Sequence, residues 1–189
     1  MARHDIFVIG ASAGGVEALQ TLVRGFPEDL PASVFIVLHM GAHRPSFLPA
    51  LLNLAGPLIA AHAYHGEPIA HRRINVAPPD AHLLVAYGHM QLGDGPKEHY
   101  TRPAVDPLFR SAAGSYGPRV VGVILSGNLT DGTAGLVAIK QGGGLTIVQD
   151  PDEAQSPGMP LSALQHVAVD YCLPLLLIAP LLGHLAHDR

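Results

Sequence analysis

The sequence reads as an α/β protein with a doubly wound, mostly parallel sheet and an inserted antiparallel hairpin. Short apolar runs alternate with stretches of helical spacing through most of the chain. Several of those runs are apolar without a break, as expected of strands covered by helices on both faces. The middle of the chain instead falls into short strand-like pieces separated by turn residues.

Taken in order, "DIFVIG" (5–10) is a β-rich run ended by glycine. "GVEALQTLVRGF" (15–26) then places Val16, Leu19, Leu22, Val23 and Phe26 at helical spacing. "SVFIVLHM" (33–40) is a second strand of the buried type, and "SFLPALLNLA" (46–55) is a helix. Pro49 falls in its first turn, where a missing N–H costs little. "LIAAHAY" (58–64) is a third strand. "RRINVAPP" (72–79), "HLLVAYGH" (82–89) and "MQLGDG" (90–95) make the antiparallel hairpin region. "AVDPLFRSAAGSYG" (104–117) is helical, and "RVVGVILSG" (119–127) is the strongest strand of the chain. A helix over 132–143 ends at Gly142-Gly143, residues that accept positive φ at little cost. "GLTIVQD" (144–150) is a strand, "MPLSALQH" (159–166) a short helix, "VAVDYCL" (167–173) a weak strand and "LPLLLIAPLLGHLAH" (173–187) a closing helix. Such alternation gives an open sheet with helices on both sides.

The length, 189 residues, suits one domain over 1–189 and suffices for a core without staples. A net charge of −4 with scattered Lys and Arg leaves no basic face, which excludes nucleic acid as a partner. The one cysteine, Cys172, allows no disulfide within the chain; it lies in an apolar run and is expected to be a buried thiol. No signal peptide opens the sequence, and the late apolar run is broken by Pro174, Pro180 and His184, so no membrane insertion is expected. The protein is therefore expected to be soluble and cytoplasmic.

In a doubly wound sheet, sites form outside the carboxyl ends of the strands. Ser12 lies there, in "GASAG" (10–14), which fits the G-x-S-x-G turn that presents a nucleophile. The helix that follows offers unpaired N–H groups suited to an oxyanion. A dinucleotide-binding turn is disfavoured. Ser12 replaces its middle glycine, and no Asp or Glu occurs from Pro31 to Gly66 to hold a ribose. No Gly-Lys-Ser/Thr follows to make a P-loop. Ser12 as a helix cap is the competing reading, and the turn alone does not decide it.

A nucleophilic serine needs a base, and the base needs an orienting acid. His39 closes the second strand, a neighbour of the first in this architecture. Asp131 follows the strongest strand in "ILSGNLTDGTAGL" (124–136), at the same edge of the sheet. The order Ser…His…Asp differs from that of α/β-hydrolases.

These segments together resemble the catalytic domain of CheB-type chemotaxis protein-glutamate methylesterases. "IGASAGGVEAL", "VLHM", "INVAPPDAHLLV", "RPAVDPLFRSAA", "VGVILSGNLTDGTAGL" and "PGMP" all carry the likeness, which runs almost end to end. The resemblance implies Ser12 as nucleophile, His39 as general base and Asp131 as orienting acid. It also implies an oxyanion hole from the N–H groups of Ala13 and Asn128, and no metal or cofactor. The implied substrate is the γ-methyl ester of glutamates on a chemoreceptor cytoplasmic domain, with deamidation of selected glutamines. The chain departs from the pattern in three ways. Ser12 is too near the start for a preceding phosphoacceptor domain, which points to a separate regulatory protein. "GAHRPSF" (41–47) differs from the usual Pro-rich segment, and Asn128 stands where methionine is common.

Arg44, Arg102 and Arg110 are candidates for steering an acidic receptor surface, with solvated surface charge as the competing reading. A signalling or binding module outside chemotaxis, with a different ester or partner, is the alternative function. His62-x-x-His65 and His39-x-x-x-His43 have spacings open to a metal, without an obvious third ligand.

Overall fold

The computed structural model describes residues 4–40 and 45–188. Seven parallel strands form the main sheet: β1 (Ile6–Ala11), β2 (Ser33–Leu38), β3 (Ile59–His62), β4 (Arg73–Val76), β7 (Val120–Ile124), β8 (Leu145–Gln149) and β9 (Tyr171–Leu173). Their spatial order is β3-β4-β2-β1-β7-β8-β9, with the antiparallel pair β5 (His82–Ala86) and β6 (His89–Gly93) beside it. Among the described residues there are six α-helices, α1 (Gly15–Arg24), α2 (Leu48–Ala55), α3 (Val105–Tyr116), α4 (Thr133–Gln141), α5 (Gly158–His166) and α6 (Leu175–His187), and a 3-10 turn at Gly117–Arg119.

The alternation of side chains along β1 builds both sides of the molecule. Phe7, Ile9 and Ala11 face one core, with Leu19 and Leu22 of α1, Leu52 of α2 and Ile178 and Leu182 of α6. Ile6 and Val8 face the other, with Leu83 and Val85 of the hairpin, Leu108 and Phe109 of α3, Leu136 of α4 and Met159 of α5. A strand covered on both faces favours apolar residues on both, which is why β1, β2 and β7 read as nearly unbroken apolar runs.

Two expectations change. Residues 73–76 belong to the parallel sheet, paired with β2 from Ser33↔Arg73 to Ile36↔Val76, and not to the hairpin. Ile74 and Val76 supply apolar burial on one face; on the other, Asn75 is buried and its amide donates to the Val34 carbonyl at 3.2 Å. That polar residue disguised a two-sided strand. Cys172 is exposed, because β9 is a three-residue edge strand that pairs only with β8. Burial still pushes its thiol up, helped by the negative charges of Asp150 and Asp152.

Candidate active site

The carboxyl ends of β1, β2 and β7 lie side by side; Ser12 directly follows β1, His39 directly follows β2, and Asp131 lies in the loop between β7 and α4. Beyond β1, the ladder continues on both sides: His39 N–H donates to the Ala11 carbonyl at 3.0 Å, and Ser12 N–H donates to the Ser126 carbonyl at 2.9 Å. Ser12 is thus held between the segment after β2 and the segment after β7. It does not cap α1. Gly14 occupies the cap position with φ 73°, and no side chain caps that helix end. Among the described residues the Ser12 hydroxyl has no hydrogen-bond partner, so the His39 ring is not bonded to it here. Such bonds often tighten only when substrate binds.

His39 and Asp131 are brought together. His39 Nε2 lies 2.6 Å from Asp131 Oδ2, with Asp131 only 1% exposed. This leaves Nδ1 as the ring nitrogen not engaged by the carboxylate. Asp131 also accepts the first N–H groups of α3, from Val105 at 2.6 Å and from Asp106 at 2.9 Å. Burial alone would raise its pKa; the bonds from His39, Val105 and Asp106 outweigh it and hold the carboxyl below the usual range.

The loop after β7 is stitched in place. Ser126 Oγ donates to the Ala13 carbonyl at 2.7 Å and accepts from Ser156 N–H at 2.9 Å. Gly127 N–H donates to the Ser156 carbonyl, and Met159 N–H donates to Gly127. Only glycine fits at 127: an added Cβ would lie 2.8 Å from Ser12 Cβ and 2.2 Å from Met159 Sδ. The N–H groups of Ala13 and Asn128 have no partner among the described residues.

Comparison with known proteins decides the family. The family model described as CheB methylesterase matches residues 7–182. The chain belongs to the CheB methylesterase family. It is 40% identical, over 92% of its length, to a protein-glutamate methylesterase/protein-glutamine glutaminase of Anaeromyxobacter dehalogenans, and spans 51% of that relative. A putative protein-glutamate methylesterase/protein-glutamine glutaminase of Leptospira interrogans is 36% identical, and the match covers 95% of this chain and 93% of that one. The chain therefore spans about half of the first relative and nearly all of the second. The crystal structure of the Thermotoga maritima CheB methylesterase catalytic domain superposes with a TM-score of 0.91 at 32% identity, covering 97% of this chain and all of that one.

In this CheB methylesterase fold a second buried carboxylate, absent from the sequence reading, adjoins the first. Asp106 Oδ1 accepts N–H groups from Gly132 at 3.0 Å and Gly135 at 2.7 Å, at the start of α4. Asp131 caps α3 while Asp106 caps α4, so each helix start holds the other's carboxylate. His99 Nε2 lies 2.7 Å from Asp106 Oδ2 and 3.6 Å from Asp131 Oδ1. Burial, then the charge of Asp131, pushes the Asp106 carboxyl up, against the bonds from Gly135 and His99. The "VD" opening of an N-terminal helical turn was the only signal for Asp106. Leu129, at φ 66° and 67% exposed, also escaped notice.

The arginines are less available than expected. Arg102 is bonded to Asp80 and to the carbonyls of Asp94 and Gly95, and Arg110 is bonded to Glu98. Arg44 lies outside the described residues, as does His43. Of the spaced histidines, His62 Nε2 lies 3.3 Å from the Ser46 carbonyl and His65 Nδ1 accepts the Leu92 N–H. Among the described residues, the group able to share a metal is His99, Asp106 and Asp131, whose ligand atoms lie within 4.8 Å of one another.

Proposed function

We propose that this chain hydrolyses the γ-methyl esters of glutamate residues on chemoreceptor cytoplasmic domains and deamidates selected glutamines there. The names of its relatives support the reaction class. The observation that carries the reading is the 2.6 Å bond between His39 and buried Asp131, one strand away from the Ser12 turn. Ser12 is the nucleophile, His39 the base and Asp131 the acid that orients it. With Nε2 facing Asp131, Nδ1 takes the proton from the Ser12 hydroxyl as it attacks the ester carbonyl. The N–H groups of Ala13 and Asn128 stabilise the oxyanion of the tetrahedral intermediate. The imidazolium returns the proton to the leaving methoxide, or in the deamidation to the amide nitrogen, which departs as ammonia. Water, activated by the same ring, then releases the glutamate carboxylate.

We read residues 1–189 as one catalytic domain working in the cytoplasm. No helix among the described residues is long and apolar enough to cross a membrane. Peptide mass spectrometry of methylated receptors, before and after incubation with the protein, tests the substrate. Loss of methyl groups from glutamates supports the reading; receptors whose methylation is unchanged count against it.

A further inference from the structure

We propose that His99, Asp106 and Asp131 bind a divalent cation of the zinc class, and that the bound ion silences the esterase by neutralising the Asp131 charge that His39 faces. The silencing rests on the esterase reading above; the binding does not.

The geometry comes first. His99 Nε2 stands 2.7 Å from Asp106 Oδ2 and 3.6 Å from Asp131 Oδ1. Bonds of about 2.0–2.2 Å to a tetrahedral zinc set its ligand atoms roughly 3.3 Å apart. A small swing of the half-exposed His99 ring therefore converts the present ion-pair contact into a ligand set. Each carboxylate keeps an outer anchor when it does so. Asp106 Oδ1 stays on the N–H groups of Gly132 and Gly135, and Asp131 Oδ2 stays on Val105 N–H and His39, while Asp131 Oδ1, which accepts the Asp106 N–H at 2.9 Å, turns its second lone pair to the ion. Ligating carboxylates held from behind in this way are the usual form of a built site.

The charge fits as well. Two buried carboxylates lie against each other, and a neutral imidazole completes a set whose charge a divalent ion matches. The groups facing them are His39 and His99, together with Arg110, whose guanidinium is already bonded to Glu98. One nitrogen and two oxygen donors favour zinc over calcium or magnesium, which prefer oxygen throughout. A cavity of about 300 Å³ opens onto the cluster, lined by His99, Asp106, Thr130, Thr133, Ser162 and His166. It gives the ion an entry path and a place for a water ligand. An ion held there takes up Asp131 Oδ1 and lowers the negative charge that His39 relies on when it becomes imidazolium.

The test uses the full chain, stripped of metal by a chelator. Zinc chloride is titrated calorimetrically into wild type and into His99→Asn, chosen because asparagine tolerates the left-handed conformation of residue 99 (φ 51°). Cobalt chloride titrated into both proteins gives visible bands that report low-coordinate nitrogen and oxygen ligation. Other histidines will bind zinc too, so the difference between the proteins is decisive. Wild type is expected to bind one more equivalent than His99→Asn. Filling it should slow methanol release from methylated receptors more than about tenfold in wild type and less than about twofold in the variant, in line with lost ligation. Equal stoichiometry, or cobalt bands identical in the two proteins, overturns the site. A lost equivalent with equal inhibition overturns the silencing alone. If wild type without metal releases no methanol, the esterase reading fails and takes the silencing with it, while the stoichiometry still judges the site.

Discussion

Asp131 holds two partners at once, the His39 ring and the first N–H groups of α3. Replacement by Asn keeps the shape but offers an amide where His39 needs a carboxylate. Ester hydrolysis by Asp131→Asn should fall about 10⁴-fold, the scale of such a change in serine hydrolases. Stability should respond with pH. The folded carboxyl sits below its ordinary pKa, so its contribution is present above the ordinary carboxylate range, near pH ~4, and is lost as pH falls through the folded value. Urea unfolding should therefore separate wild type from Asp131→Asn at neutral pH, with the gap narrowing in acid. Gly127→Ala places a methyl group against Ser12 and Met159. It should weaken turnover while leaving the fold assembled, as rates and circular dichroism would report. At this scale the nearness of His39 to Asp131 was legible because one directly follows β2 and the other lies in the loop after β7, at the same edge of the sheet. Asp106 was not: its role comes from a helix start facing another helix start, across 25 residues of sequence.

Helix α3 links the site to the sheet. Its first residue, Val105, gives its N–H to Asp131 and also packs on β1, where a Cβ added at Gly10 would lie 2.5 Å from Val105 Cγ1. Gly10→Ala should destabilise the protein by ~1–3 kcal/mol through overpacking. It should also slow turnover by shifting the Asp131 acceptor geometry, two effects that unfolding curves and rates measure separately. Most strands and helices were readable because burial on two faces, or on one stripe, leaves a plain apolar period. β4 was misread because four residues with a polar member in the middle carry too little period, and its place is set by pairing with β2. Cys172 was misread because an apolar run does not reveal that its strand lies at a sheet edge.

The seven-stranded sheet lies between two cores that share its strands. Truncation on either side should then weaken the same transition. Leu22→Ala and Phe109→Ala are each expected to cost about 2–5 kcal/mol, and each should shift a single cooperative unfolding curve, which fluorescence and circular dichroism should trace identically. On the esterase reading proposed above, the sheet serves function by placing Ser12 after β1, His39 after β2 and Asp131 in the loop after β7. That claim is tested most directly by methanol release from methylated chemoreceptor membranes, comparing wild type with Ser12→Ala. Release by wild type that vanishes in the variant is the predicted result. Undiminished release by Ser12→Ala, or none by wild type on any methylated receptor, would contradict it.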